Sequence, residues 1–427
     1  MRLILFDPPA DKRANFKPLS LGCPIWQLRC GMTTLGEKLI ARLAPAETGC
    51  FVEPYMAAAW AERVDMPVND ASSLDADDVL MVNSRVKASG FDVVARGPGE
   101  VGVADDGEVL YVRLPAGQVS KLQTGSLDEL LSSAKRALPV RPCRLATWGY
   151  IWDLILANAQ EITREFAARG QHGVEGTIEK PVVIRGDKRS VYVAPGAKIH
   201  PMVVIDAEHG PVYLDRDVEV QPFTRIEGPC YVGPGTTLLG GSCREGNSIG
   251  PVCRIGGEVE QSIIQGYSNK YHDGFLGHAY VGEWVNLGAL TTNSDLKNDY
   301  STVSVILDGK KAIDTGSTKV GSLIGDHAKT SIGTLLNTGS YVGAMAVIMA
   351  AGKPLQKFIP SFAWLIDGIV TRGFGRQRLY EAAATVMGRR GQAWSDAQQA
   401  MWDAVFEMTA GVRDPAIKRG RKAMMRK

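Results

Sequence analysis

The stretch VYLDRDVEVQPFTRIEGPCYVGPGTTLLGGSCREGNSI, residues 212–249, sets aliphatic side chains at Leu214, Val220, Ile226, Val232, Leu238 and Ile249. The first five stand six residues apart. The series continues upstream at Val193, Ile199 and Ile205 and downstream at Ile255, Phe275, Val281, Leu287, Ile324, Leu336, Val342 and Ile348. Many members are followed by glycine or proline, as in Val232-Gly233-Pro234-Gly235, Val281-Gly282 and Val342-Gly343. Each unit therefore reads as a short strand closed by a turn that favours a residue without a Cβ. Three units make a triangular coil, and stacked coils bury the aliphatic positions in one continuous interior. A β-sandwich with regular turns would show alternation and turns every 8–12 residues instead.

The spacing predicts a β-helix over 180–352. The ruler breaks over 291–321, TNSDLKNDYSTVSVILDGKKAIDTGSTKVG included, which is long and polar and is expected to protrude as an inserted loop. Residues 353–427 are expected to form a cap and helices, ending in a basic run of Lys418, Arg419, Arg421, Lys422, Arg426 and Lys427 that reads as a solvated end. Upstream, strand-length apolar runs at 3–6, 79–82 and 109–114 alternate with helical spacing at 35–43, 132–137 and 151–169. This predicts an α/β domain over 1–175. In its last helix Leu154, Ile155, Ala159, Ile162 and Phe166 form the apolar stripe, with Glu161, Arg164 and Glu165 placed largely off it.

The 427 residues are 45% hydrophobic and 22% charged, the balance of a globular chain of two or three domains. Forty-eight basic and 46 acidic residues leave a net charge of +2, which favours neither nucleic acid nor an anionic membrane as partner. The seven cysteines show no CxxC spacing and read as reduced thiols. The start MRLILFDPP lacks a signal-type apolar region and no apolar stretch is long enough to span a bilayer, so a cytoplasmic location is expected.

Three groups of residues carry a resemblance. The stretch GYSNKYHDGFLGHAYVGEWVNLGALTTNSDLKNDY, residues 266–300, sets a histidine before an aromatic-Leu-Gly and an Asn-aliphatic-Gly-Ala run. Tyr150-Ile151-Trp152-Asp153-Leu154-Ile155 with Asn158 resembles a helix that closes many nucleotidyltransferase domains. Together with the six-residue ruler, the chain resembles the bifunctional N-acetylglucosamine-1-phosphate uridylyltransferase and glucosamine-1-phosphate acetyltransferase family, and more closely a branch of putative sugar nucleotidyltransferases related to it. The resemblance implies a truncated, Rossmann-like nucleotidyltransferase α/β domain, a left-handed parallel β-helix and a helical C-terminal segment. It also implies a homotrimer acting on a sugar phosphate or nucleotide sugar, with acetyl-CoA as cosubstrate, and magnesium only if nucleotidyl transfer occurs.

Acyl transfer to an amine needs a base near neutral pH, and histidine is the default. His272 matches the family's catalytic histidine and lies in a polar loop. Glu258 and Asn286 match further site residues, while Lys270 and Asn293 are expected to meet a sugar phosphate and sugar or N-acyl groups. Two departures are evident: Glu260 stands where the family has a phosphate-binding lysine and Phe275 where it has a tyrosine, which casts the glutamate as a phosphate repeller. His278 and His327, at turn positions, read as structural.

The N-terminal domain departs from the family at both decisive places. Asp7-Pro8-Pro9 replaces the glycine-rich phosphate loop, and proline has no amide hydrogen to donate. Asn83, in Met81-Val82-Asn83-Ser84-Arg85, replaces the carboxylate that would hold magnesium. Arg13, Lys17, Arg29 and Arg85 remain as donors suited to phosphate, with Arg13, Arg29, Asn83 and Arg85 the candidate sugar-phosphate residues. The sequence thus leads to a coenzyme A-dependent N-acyltransferase. A sugar-1-phosphate nucleotidyltransferase with an atypical site and a non-catalytic nucleotide-sugar-binding protein are the rivals.

Overall fold

A computed structural model describes residues 1–74, 78–119, 122–349 and 352–425; Arg426 and Lys427 of the basic run lie outside the described residues. The N-terminal sheet has six strands in the order Glu47–Phe51, Arg2–Phe6, Val79–Asn83, Val109–Leu114, Glu100–Val103 and Val140–Pro142. Its first three strands run parallel, and Val109–Leu114 is antiparallel to its neighbour Val79–Asn83. The continuous apolar run of Val79–Asn83 is buried at every position, as a strand covered on both faces requires. Helix Leu35–Leu43 starts where Thr34 and Glu37 form a reciprocal capping box.

Helix Ile151–Arg169 ends at Gly170, whose φ of 63° closes the helix in the left-handed conformation. It lies between the sheet and the β-helix, which changes the reading of its polar residues. Glu161 is buried, held by Lys38 at 3.2 Å and Arg164 at 2.5 Å. Asn158 is fully buried, accepts from the Gly31 amide at 2.6 Å and the Ser248 hydroxyl at 2.9 Å, and donates to the Gly246 carbonyl at 2.8 Å. Its amide joins the two domains.

The β-helix is built from three stacks of parallel strands, one of ten strands and two of six, the latter with shorter continuations beyond the insertion. Coil strands extend from Gly173–Val174 to Trp364–Ile366, beyond 180–352 on both sides. Of the ruler positions read from sequence, all but one are at most 3% exposed. The exception is Phe275, half-buried and outward-facing, whose interior place is taken by Leu276. Corners use non-glycine residues in the left-handed region, among them Met202 (φ 65°), Phe223 (65°), Trp284 (61°) and Leu290 (61°). Each costs on the order of 1–2 kcal/mol locally, which the ladders on either side offset.

The three faces differ. The ten-stranded face carries an outward column of Tyr192, Tyr213, Tyr231, Tyr280 and Tyr341, all buried. The N-terminal domain covers this column. Phe166 of helix Ile151–Arg169 packs edge-on against Tyr213, and the Tyr280 hydroxyl takes the Arg29 amide at 2.8 Å and donates to its carbonyl at 3.0 Å. The inserted segment forms the antiparallel hairpin Ser304–Ile306 and Ala312–Asp314. After the last coil come the helices Arg376–Gly388, Asp396–Met408 and Ala410–Met424. Among the described residues, no helix is long and apolar enough to cross a membrane.

Candidate functional site

The corner between the two six-stranded faces gathers three of the sequence-predicted residues. His272 occupies the exposed turn between Asn269–Lys270 and Phe275–Gly277, with its ring tilted against Tyr271 at 4.9 Å. Its imidazole makes no hydrogen bond or ion pair within the chain, among the described residues. Glu258 lies beside Phe275 in register on the adjoining face, and its carboxylate is 3.4 Å from Arg244. Asn286 is exposed one coil on and accepts from Asn269 at 3.3 Å, whose own oxygen accepts from Arg390 at 3.0 Å.

Lys270 and Asn293 are placed differently from the sequence reading. Lys270 is in register with Ile255 and so points into the β-helix, where it is 3% exposed. Its ammonium donates to the carbonyls of Gly256 at 3.0 Å and His272 at 2.5 Å. Burial pulls it down to about 8 from the usual lysine value. Lys270 thus ties down the turn that carries His272, with two of its three N–H donors given to those carbonyls. Asn293 is in register with Leu336, also an interior position. Its amide donates to the Gly277 carbonyl and accepts from the Gly277 amide, both at 2.8 Å, replacing a backbone rung where the insertion leaves the stack.

A second polar cluster went unread in the sequence. His278 is buried at the corner after Phe275–Gly277, with φ of 45°, and its Nδ1 lies 2.8 Å from Asp295 of the insertion. Burial raises the Asp295 carboxyl, but the hydrogen bond and charge of His278 together with Lys319 outweigh it and hold the group below the usual aspartate value. The nearby Glu260 is 8% exposed and sits between Arg244 at 3.0 Å and Lys319 at 3.6 Å. Two cations therefore offset the glutamate that the sequence reading cast as a phosphate repeller. Asp295 and Lys319 both come from the 291–321 insertion, so the only available signal was its interruption of the ruler.

The N-terminal candidates are committed elsewhere. Asn83 is fully buried, donates to Glu108 and to the Val109 carbonyl at 3.0 Å each, and accepts from the Arg85 amide at 3.0 Å. Arg85 is bidentate to Glu108 at 2.8 and 2.6 Å and donates to the Trp148 carbonyl at 2.8 Å. Arg13 is held by Tyr55 at 3.0 Å, the Ser20 carbonyl at 3.1 Å and Glu53 at 3.3 Å. Arg29 lies at the contact with the β-helix, its guanidinium 5.6 Å from the Tyr231 ring centroid and donating to the Met32 carbonyl. Beyond the parallel strand ends lies a cleft of about 400 Å³ lined by Asp7, Pro8, Pro9, Glu53 and Asp128 but, among the described residues, by no lysine or arginine. Asp7 is completely buried there and burial pushes its carboxyl up to about 7. A neutral-leaning acid, a committed Asn83 amide and no group of three metal-ligating side chains among the described residues do not fit a magnesium ion.

Parts of the chain are similar to known proteins. A bifunctional sugar-1-phosphate nucleotidylyltransferase/acetyltransferase of Sulfurisphaera tokodaii is 34% identical over 151 residues, 33% of this chain and 35% of its own length. The bifunctional protein GlmU of Heliobacterium modesticaldum is 26% identical over 198 residues, 45% of this chain and 41% of its own. The chain thus spans well under half the length of these curated relatives. A solved UDP-N-acetylglucosamine acyltransferase from Arabidopsis aligns over 57% of this chain and 92% of its own, at 12% identity and a TM-score of 0.23. Residues 3–172 match the family model described as sugar nucleotidyl transferase, so the chain joins a segment of that family's pattern to a hexapeptide parallel β-helix.

Proposed function

We propose that the protein is a transferase of sugar-nucleotide metabolism that moves an acyl group from a coenzyme A thioester to the amine of an amino sugar phosphate or nucleotide-linked amino sugar. The reading rests on His272, an imidazole without an internal partner on an exposed corner, with Glu258 and Asn286 nearby. In the reaction the amine nitrogen attacks the thioester carbonyl carbon and the carbon–sulfur bond breaks. His272 takes the proton from nitrogen, and the departing thiolate is protonated to free coenzyme A. A sugar phosphate at this corner would have to draw Arg244 and Lys319 away from Glu260. The N-terminal domain covers the tyrosine face, so a homotrimer would pack through the other two faces. A monomer in sedimentation at micromolar concentration would remove that part of the reading.

The test is thiol release from acetyl-CoA over a panel of amino sugars and their phosphates. His272→Ala should lower turnover by roughly 10²–10⁴-fold. One observation favours a second reading of the base: His278 is held by Asp295 at Nδ1, and its Nε2 has no hydrogen-bond partner among the described residues, the arrangement of an oriented imidazole. If His278→Asn abolishes turnover while His272→Ala keeps it, the base is His278. If neither variant nor wild type releases thiol, acyl transfer is wrong, and pyrophosphate release from a nucleoside triphosphate and a sugar 1-phosphate is the next assay.

A further inference from the structure

The carboxyl-terminal helices and the last coil enclose a cleft of about 650 Å³. Its floor is apolar, with the rings of Phe362 and Phe406 meeting edge-on at 5.2 Å. Its walls are not. Arg372, Arg376, Arg413, Lys418 and Arg421 line it with Glu407 and Asp414, and with Asp403 beside Arg376 that makes five positive charges to three negative, a surplus of two. The whole chain carries a net charge of only +2. The charge is therefore concentrated at this place.

The internal pairs account for part of it. Arg376 lies 3.1 Å from Asp403 and 3.6 Å from Glu407. Arg413, 3% exposed, pairs through Nε with the largely exposed Asp414 at 3.1 Å and stacks 3.6 Å over Phe406. Arg372, Lys418 and Arg421 form no ion pair among the described residues and are exposed. Lys418 and Arg421 stand three apart on helix Ala410–Met424, hence on one face, while Arg372 follows strand Ile369–Thr371 on the opposite wall. Three unpaired cations converging from two elements repel one another until an anion joins them.

We propose that this cleft binds a small molecule bearing a diphosphate. A diphosphate brings about three negative charges in a compact group, one for each of the three cations that form no ion pair among the described residues, and guanidinium forks match its oxygens bidentately. The Phe362–Phe406 floor and the remaining volume leave room for an organic body attached to it. The site is separate from the His272 corner and does not depend on acyl transfer there.

Calorimetric titration of the full chain with inorganic pyrophosphate and with uridine and adenosine diphosphates tests this. Wild-type protein should bind at micromolar to low millimolar concentration, more weakly as salt rises. The triple change Arg372→Gln, Lys418→Gln and Arg421→Gln should weaken binding at least tenfold with an unchanged melting temperature, since all three side chains are exposed. His272→Ala should bind as wild type. Equal affinity for pyrophosphate and the nucleoside diphosphates means that the phosphates alone are read; a tenfold preference for a nucleoside diphosphate means that the apolar floor contributes. No binding up to several millimolar, binding unchanged in the triple variant, loss in His272→Ala, or a short RNA that binds more than tenfold tighter than any of these would each overturn the proposal.

Discussion

The N-terminal cleft and the β-helix corner both look like sites, yet their polar groups are in opposite states. In the cleft region the named donors are already engaged: Arg85 by Glu108, Arg13 by Glu53 and Tyr55, Asn83 by Glu108 and Val109. At the corner, the His272 imidazole forms no hydrogen bond or ion pair among the described residues, and the Lys270 ammonium beneath it holds the turn. A fold can keep the shape of a cleft while its side chains turn inward to satisfy one another. What separates the two regions is the number of donors and acceptors left over.

The largest expected effect tests the corner. His272→Ala should cut acyl transfer by roughly 10²–10⁴-fold, whereas Arg13→Ala in the N-terminal domain should leave it within about twofold. A loss of the same size in both variants would erase the distinction. The next test acts inside the N-terminal domain. Asn83→Asp restores the carboxylate that a metal would need, but it places that charge against Glu108 and removes a donor to two acceptors. It should cost about 2–4 kcal/mol in urea unfolding and gain no magnesium affinity. Tight magnesium-dependent triphosphate binding by this variant would mean that one substitution suffices to reopen the site.

The smallest effects are two pH slopes of opposite sign. The Asp7 carboxyl is raised from 3.8 to about 7, so the folded state holds a proton that the unfolded chain has lost across that window. Its contribution is present at acidic pH and lost as pH rises from about 4 to 7. Asp7→Asn should flatten that fall. Lys270 is lowered from 10.5 to about 8, so the unfolded chain binds the extra proton between those values and stability should climb with pH there. Lys270→Met should flatten that rise. Denaturation midpoints measured from pH 4 to 10.5 check both, and slopes of the same sign would show that one of the two groups is not buried as described.

The architecture was legible because the interior of a β-helix must be aliphatic at every coil, and the series from Val193 to Ile348 records this directly. The site was less legible for a related reason. From Ile255 the interior positions follow at Val259, Ile264, Lys270 and Leu276, steps of four, five, six and six, so a strict ruler misplaces what comes next. Phe275 was put inside and lies outside; Lys270 was read as a surface donor and lies inside. A lysine in register with isoleucine carries no such label in a single sequence. Glu108 gave no signal either, since what it does depends on strands Val79–Asn83 and Val109–Leu114 lying antiparallel. Asp295 meets His278 only because the chain returns across the corner after Asn293.

The end of the solenoid has a consequence for assembly. Strand Ile369–Thr371 folds back antiparallel on Trp364–Ile366, and helix Ala410–Met424 lies against it so closely that a Cβ on Gly420 would sit 2.1 Å from the Val370 carbonyl oxygen. A stack of parallel coils is a template that invites another coil, and an uncovered one would grow end to end into fibres. The reversed strand offers the wrong direction for such growth, and the helix blocks approach to it. Gly420 is where that lid closes, so a bulkier residue there would lift the helix and turn a molecule of fixed length into a seed for filaments.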